Sequence, residues 1–513
     1  MKKFYITTTL PYVNAEPHLG FALEIIQADA IARYQRLQGN EVFFNFGVDE
    51  HGLKIYRKAL EKGKNPQEYC DEYAAKFNAL KQGLNLSYTN FIRTTDKHHI
   101  KAAQEFWKRC LKKGDIYKKN YKIRYCVGCE LEKTDSDLED GRCPFHPNQE
   151  IEVYDEENYF FRFSKYQNPL LNFYEKNPDF VIPPEKYNEI KSFVERGLED
   201  FSVSRLKSKM PWGIDVPGDQ EHVMFVWFDA LVNYISALGW PEKIKEFNQW
   251  WPGFQVAGKD NLRQQTAIWQ AMLMSVGLPN SKQVFIHGFI TVNGQKISKS
   301  LGNVINPLEL AEKYGTDALR YYLLSKIHPW EDSDFTIQKF EETYNADLAK
   351  GLGNLVSRVL TMVQNYCGSK VPRISQDLDS HPLRIDGNIY NWKKGWANLD
   401  KGMAEYRFND ALAAVWRFIG EADKYIDQQK PWELAKQGRQ EEVDWILYGL
   451  LDSLHQVVWQ IYPFLPETSQ KIAKVLNIKK LLTKNPLHKD SWTNIKPGTK
   501  IENPGPLFPK IEN

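Results

Sequence analysis

The order strand, loop, helix, strand at the start of the chain limits the fold more than any other feature. Phe4-Tyr5-Ile6-Thr7-Thr8-Thr9 is aromatic and β-branched, as a buried strand requires. A loop bounded by Pro11 and Pro17 follows, and then Leu19, Leu23, Ile26, Ala30 and Ile31 recur at a helical period. Glu41-Val42-Phe43-Phe44-Asn45-Phe46-Gly47 predicts the next strand. Two strands joined through one helix predict a parallel βαβ unit, with ligands at the carboxyl ends of the strands. Amphipathic helical patterns fill roughly residues 54–115. From about Tyr117 to Gly218 acidic stretches and Pro-rich turns interrupt the α/β pattern, as an insertion would. The pattern returns at His222–Asp229, Phe254–Lys259 and Gln283–Gly288, and beyond Asn306-Pro307 it is nearly all helical to about residue 480. At 513 residues the chain exceeds what one core supports. The expected division is 1–116, 117–218, 219–305, 306–345, 346–480 and 481–513, the last a Lys-rich packed extension.

The net charge of +2 calls for no nucleic-acid partner globally, so any such partner must meet a local patch. No apolar run approaches membrane-spanning length, and Met1-Lys2-Lys3 leads into a strand without a small-residue cleavage site. No membrane partner, a reducing cytoplasm and a monomeric state are expected. Six cysteines in a chain of this size are no disulfide framework.

Two stretches carry phosphate chemistry. Lys296-Ile297-Ser298-Lys299-Ser300 lies between Gly294 and Gly302, in a loop whose glycines let the backbone bend toward a ligand. Its ammoniums and hydroxyls suit nucleotide phosphates, although a short Lys/Ser string taken alone is usually a solvated turn. His18 and Gly20 lie where the first long helix begins, and a helix N-terminus attracts anions through unpaired N–H groups and its dipole. Alone, His18 reads equally as a cap.

The pair, Pro17-His18-Leu19-Gly20 and Lys296-Ile297-Ser298-Lys299-Ser300, resembles the two signatures of the class I aminoacyl-tRNA synthetases, and the local detail is similar to the methionyl branch over nearly the whole chain. The resemblance implies a Rossmann-like parallel-sheet catalytic domain split by a zinc-binding connective insertion and followed by an α-helical anticodon-binding domain. It implies ATP binding by His18, Gly20, Gly288, Lys296, Ser298 and Lys299, with His18, Lys296 and Lys299 catalytic and Mg²⁺ accompanying ATP. Leu10, Tyr12, Asp49, Trp227, Ala230 and Tyr234 would then surround L-methionine, Asp49 holding its ammonium and the aromatics its thioether. Without the resemblance the aromatics read as plain core residues. The chain departs from the family at Phe21, where the signature has a second His, so a donor is missing and compensation is expected. Ile297 replaces the usual Met, and Gln255 and Gln265 each replace a His.

Cys126-x-x-Cys129 and Cys143-x-x-His146, about a dozen residues apart, have zinc-ligand spacing and can close a structural tetrahedral site. A free-standing nucleic-acid-binding ribbon has the same spacing. Asn354 and Arg358 stand four apart on one helical face, and Trp432 follows Pro431 at a helix start. They suit base edges and base stacking, or a surface ion pair and a buried Trp. By resemblance they read the anticodon of elongator and initiator methionine tRNA. The expected activity is methionine–tRNA ligation. The alternatives are a class I synthetase for another amino acid, a small-molecule nucleotidyltransferase and a non-catalytic tRNA-binding paralogue.

Overall fold

The computed structural model describes residues 2–129, 131–133, 137–297, 303–374, 384–385, 388–389, 392–478, 495–502 and 504–512. Its central sheet contains β1 (Lys3–Thr8), β2 (Glu41–Val48), β3 (Asn90–Arg93), β4 (Val181–Ile182), β5 (Phe254–Gly258) and β6 (Gln283–His287). The order is β3-β2-β1-β5-β6-β4 and every neighbouring pair is parallel. All of β5 and the last four residues of β1 are buried, because elements cover both faces of the sheet. Successive side chains serve opposite faces. Ile6, Phe44, Val256 and Phe285 join the core beneath α1 (Leu19–Leu37). Tyr5, Ala257, Val284 and Ile286 join a second core with Phe106, Trp107 and Trp269.

The region expected to be an insertion begins as a long antiparallel hairpin, Ile116–Cys126 against Glu152–Phe161, in register from Ile116 opposite Phe161 to Tyr125 opposite Glu152. It does not stay apart from the α/β unit. Phe161, Tyr166 and Tyr174 enter the second core, and Val181 and Ile182 return to the main sheet as its edge strand β4. Two residues followed by Pro183-Pro184 are too short to show a period-2 pattern, so this strand is invisible to periodicity.

The helical part includes α2 (Asn354–Tyr366), α3 (Phe408–Gln429) and α4 (Gln440–Ile461). Its apolar residues Leu355, Val359, Phe418 and Leu447 are continuous with the core beneath α1. At the junction the Arg320 guanidinium is wholly buried, 2.8 Å from Asp29 of α1. It also donates to the carbonyl oxygens of Leu84, Pro463 and Phe464. Burial would raise the Asp29 carboxyl, but Arg33 and Arg320 outweigh it and hold the pKa at about 2. Ile495, Ile501 and Phe508 pack back into the same core. No described helix is long and apolar enough to cross a membrane.

Candidate active site and metal cluster

Strand order reverses between β1 and β5, and there the carboxyl ends of the strands open a crevice. A cavity of about 620 Å³ occupies it. Leu10, Tyr12, His18, Gly20, Asp49, Trp227, Ala230, Tyr234 and Gly288 all line it. Lys296 ends the strand Gln295–Lys296, paired antiparallel with Ile290–Val292. Ser298 and Lys299 lie outside the described residues. Ile297 and Val304, on either side of them, both line the cavity. The Ile305 carbonyl accepts from the Leu19 amide at 3.1 Å, which ties the return of the lysine segment to the start of α1.

His18 is the N-cap of α1, its Nδ1 accepting from the Gly20 amide at 3.1 Å. With Nδ1 an acceptor, the ring proton sits on Nε2. A Cβ on Gly20 would come within 2.9 Å of His18 Cε1, so the glycine is needed to seat the imidazole. The first turn of α1 has no acidic side chain, which leaves its positive dipole end for an anionic ligand. Phe21 supplies no donor. Its ring lies 4.2 Å from that of His18, centroid to centroid, and meets Phe77 edge-on at 5.6 Å, so it buttresses the histidine.

Glu24 and His287 were not singled out from sequence. Glu24 Oε1 accepts from the Thr9 amide (2.8 Å) and hydroxyl (2.5 Å), and Oε2 lies 2.9 Å from His287 Nε2. His287 Nδ1 lies 2.7 Å from the Gly288 carbonyl oxygen. An imidazole between two acceptors can donate from both nitrogens only as the cation, so this setting favours protonation. Burial alone would depress its pKa, and the bond and charge of Glu24 reverse this to a net rise. A raised native pKa stabilises fully below about pH 6.5, the ordinary imidazole value, and the gain is lost as pH rises through the native value. Replacing Glu24 by Ala should leave the buried imidazole without its counter-charge, shift it to the neutral form and cost about 1–3 kcal/mol, the scale of a lost charge-assisted hydrogen bond. The checks are the urea midpoint and an NMR titration in which the His287 pKa falls below its ordinary value.

Asp49 also lines the cavity. Its backbone exchanges hydrogen bonds with Pro11 and Val13, fastening the end of β2 to the loop after β1. Its Oδ1 accepts from the Thr94 hydroxyl and the His51 amide, each at 3.4 Å. His51 Nδ1 in turn lies 3.1 Å from Asp229, fully buried between Trp227 and Ala230 in sequence, and this pair links the two pocket walls. Burial pushes the Asp229 carboxyl up and His51 opposes it. Tyr12 and Trp227 meet edge to face at 6.3 Å. Gln255 and Gln265 form a buried relay: Gln255 Nε2 donates to Gln265 Oε1 at 3.2 Å, and Gln265 Nε2 donates to the Tyr234 hydroxyl at 2.7 Å. Gln265 lies in a π-helical turn, Gln264–Ile268.

At the hairpin tip the ligand atoms of Cys126, Cys129, Cys143 and His146 all lie within 4.8 Å of one another. Cys129 Sγ is 3.4 Å from Cys143 Sγ and 3.2 Å from His146 Nδ1, and Cys126 Sγ is 3.8 Å from that nitrogen. Tetrahedral zinc with Zn–S bonds of about 2.3 Å separates its sulfurs by about 3.8 Å, so this donor set fits. Mutual contact drives the Cys126 thiol down and the Cys129 thiol up, so the pair holds one sulfur toward the thiolate that a metal binds. A Cβ on Gly128 would lie 2.4 Å from the His146 ring, so only glycine lets the ligand loops close. Lys54 Nζ donates to the Gly128 carbonyl oxygen at 3.1 Å and docks the tip on the cavity, where Cys129 and His146 also form part of the wall.

In the helical part, Asn354 and Arg358 share a face but are engaged. Asn354 Nδ2 donates to Asp423 at 3.2 Å, while Arg358 bridges Asp423 at 2.7 Å and Asp427 at 2.5 Å. Trp432 lies between the two readings offered for it, a stacking surface and a buried side chain. It is half-buried against the core, since Pro431–Lys436 packs on α2 and α4.

Comparison with known proteins adds an independent line. The sequence model of the family "tRNA synthetases class I (M)" matches residues 4–151 and 132–360, and that of "Anticodon-binding domain of tRNA ligase" matches residues 393–506. The methionine–tRNA ligase of Thermotoga maritima is 42% identical over 514 residues, 99% of this chain and 80% of the relative. That of Synechocystis is 41% identical over 526 residues, 99% and 98%. The solved Mycobacterium tuberculosis methionyl-tRNA synthetase in complex with methionyl-adenylate superposes with a TM-score of 0.90 at 34% identity, covering 99% of this chain and all of that one. Its apo form scores 0.83 at 32% identity, covering 100% and 99%.

Proposed function

We infer, from a chain that belongs to the methionyl group of the class I tRNA synthetases, how its residues divide the work of one reaction. The reaction is ligation: ATP activates L-methionine as methionyl-adenylate, and the methionyl group passes to the terminal ribose of its tRNA. The observation that carries the assignment of residues is that His18 and both flanks of the lysine segment, Ile297 and Val304, line one cavity.

In the first step a methionine carboxylate oxygen attacks the α-phosphorus of ATP, the bond to the β-phosphate breaks, and pyrophosphate leaves. A carboxylate is already a nucleophile, so positioning and charge stabilisation supply the catalysis. His18 Nε2–H donates to the phosphates, the positive dipole end of α1 adds its attraction there, and Gly20 and Gly288 line the place the nucleotide takes. Lys296, Ser298 and Lys299 close over the triphosphate, which enters with Mg²⁺ as its counter-ion. Asp49 holds the α-ammonium, and Leu10, Tyr12, Trp227, Ala230 and Tyr234 enclose the side chain. In the second step a terminal ribose hydroxyl attacks the acyl carbon, and AMP leaves.

Residues 1–116 and 219–305 form the catalytic domain, 117–218 the connective insertion, 306–345 the region facing the acceptor stem, 346–480 the anticodon-binding domain and 481–513 its extension. Cys126, Cys129, Cys143 and His146 hold structural zinc. Asn354, Arg358 and Trp432 read the anticodon, with Asp423 and Asp427 aiming the guanidinium until a base edge competes for it. A monomer acting in the cytoplasm, where charged tRNA is consumed, completes the reading. Amino-acid-dependent ATP–pyrophosphate exchange across the twenty amino acids tests it. Methionine should dominate, and equal exchange with leucine or cysteine would reassign the pocket.

A further inference from the structure

The metal-bearing hairpin supplies two cavity-lining groups with no part in the chemistry above, Lys133 and Phe145. Lys133 is 9% exposed. Its backbone is fastened by a 2.8 Å bond from its amide to the Arg124 carbonyl oxygen. Among the described residues no carboxylate or carbonyl pairs with its ammonium, and the contact it makes is with the Phe145 ring, 5.9 Å from Nζ to the centroid. A buried ammonium without an anionic partner is costly, which is understandable if an anion arrives during the reaction. Phe145 is 57% exposed although it lines the cavity. It sits between the ligands Cys143 and His146, so metal binding would hold an exposed aromatic ring stiffly at the rim.

An aromatic face beside an ammonium is the pairing that receives single-stranded nucleic acid: a base stacks on the ring and its phosphate meets the charge. The remaining substrate is single-stranded where it reacts, and it must reach a cavity already holding the adenylate. We propose that Phe145 and Lys133 form the landing for the 3′-terminal nucleotides of the tRNA, one base stacking on Phe145 while a phosphodiester pairs with Lys133. This rests on the synthetase reading above. Two other roles are open to Lys133. Its charge acts on the neighbouring Cys129 thiol, so it would also offset the net charge of three thiolates and one zinc ion. Alternatively, its ammonium would serve a phosphate of ATP instead of one of tRNA.

The test uses full-length protein with Phe145→Leu, which keeps apolar bulk without a π face, Lys133→Met, and the conservative Phe145→Tyr and Lys133→Arg. Three quantities are read: single-turnover transfer from preformed methionyl-adenylate to tRNA, methionine-dependent pyrophosphate exchange, and zinc per chain. The Leu and Met variants should slow transfer by roughly tenfold, the scale of losing one stacked base, with exchange within about twofold and zinc unchanged. The Tyr and Arg variants should restore most of the rate. Transfer at the wild-type rate overturns the proposal. So does an equal fall in transfer and exchange with zinc retained, which would place the ammonium on ATP. Zinc lost in step with transfer would assign Lys133 to the cluster and also overturns it. A wild-type chain without methionine-dependent exchange would instead sink the synthetase reading itself.

Discussion

Methionine-dependent pyrophosphate exchange should fall by about 100- to 1,000-fold when His18 is replaced by alanine, the scale of removing one donor to a developing charge. Equilibrium binding of methionine alone, followed by tryptophan fluorescence, should stay within about twofold, because the proposed methionine contacts Asp49, Trp227 and Tyr234 remain in the cavity. The variant also loses the N-cap of α1, where Nδ1 accepts from the Gly20 amide, at a cost of about 1 kcal/mol in stability. His18→Asn separates the two roles. Asparagine caps a helix well but cannot place a donor where Nε2–H stands, so stability should return while exchange stays low. Exchange within about threefold of wild type in both variants would remove His18 from the phosphate site.

Removing the metal should have the second large effect. Structural zinc sites of this kind contribute folding free energy outright, on the order of 10 kcal/mol in isolated peptides. Among the described residues, single side chains tie the hairpin tip to the rest of the chain, Arg263 to Asp137 at 3.5 Å among them. Phe145 is exposed, and Lys54 and Arg57 reach it through single side chains, Lys54 to Gly128 and Arg57 to Glu152. Cys126→Ser, or chelation of the wild type, should make residues 127–146 the first site of proteolysis. Helix content should be nearly unchanged, because α1 to α4 and the parallel sheet pack in other cores. Exchange should fall at least tenfold, since the Gly128, Cys129 and His146 stretch of the cavity wall goes with the metal. Metal analysis should give about one zinc per chain. A fully active chain with less than a tenth of that would refute a structural role.

The first βαβ unit and the metal cluster were the most legible parts of the chain, because their signals are local. The period of Leu19, Leu23, Ile26 and Ile31, and the Cys-x-x-Cys and Cys-x-x-His pairs, each fall within a few turns of backbone. Two departures took on physical meaning only with neighbours in place. Phe21 is a prop for the His18 ring, and Gln255 and Gln265 hand a hydrogen bond to Tyr234. The helical end was less legible. Arg358 reads as a free fork from its own helix, and the carboxylates that hold it come from α3, more than sixty residues later.

By itself the sequence determined the alternation of strand and helix, the helix start at His18 and the close grouping of the cluster's three cysteines and one histidine. Each rests on spacing along the chain, and backbone geometry converts spacing into a face or a loop. Only the tertiary structure decided that Glu24 pairs with His287, 263 residues away, that Arg320 is buried against Asp29, and that Val181 and Ile182 rejoin the main sheet. A buried charge takes whichever partner the packing of distant elements delivers, and an edge strand takes whichever edge is left open. Neither choice leaves a periodic trace in the chain that makes it.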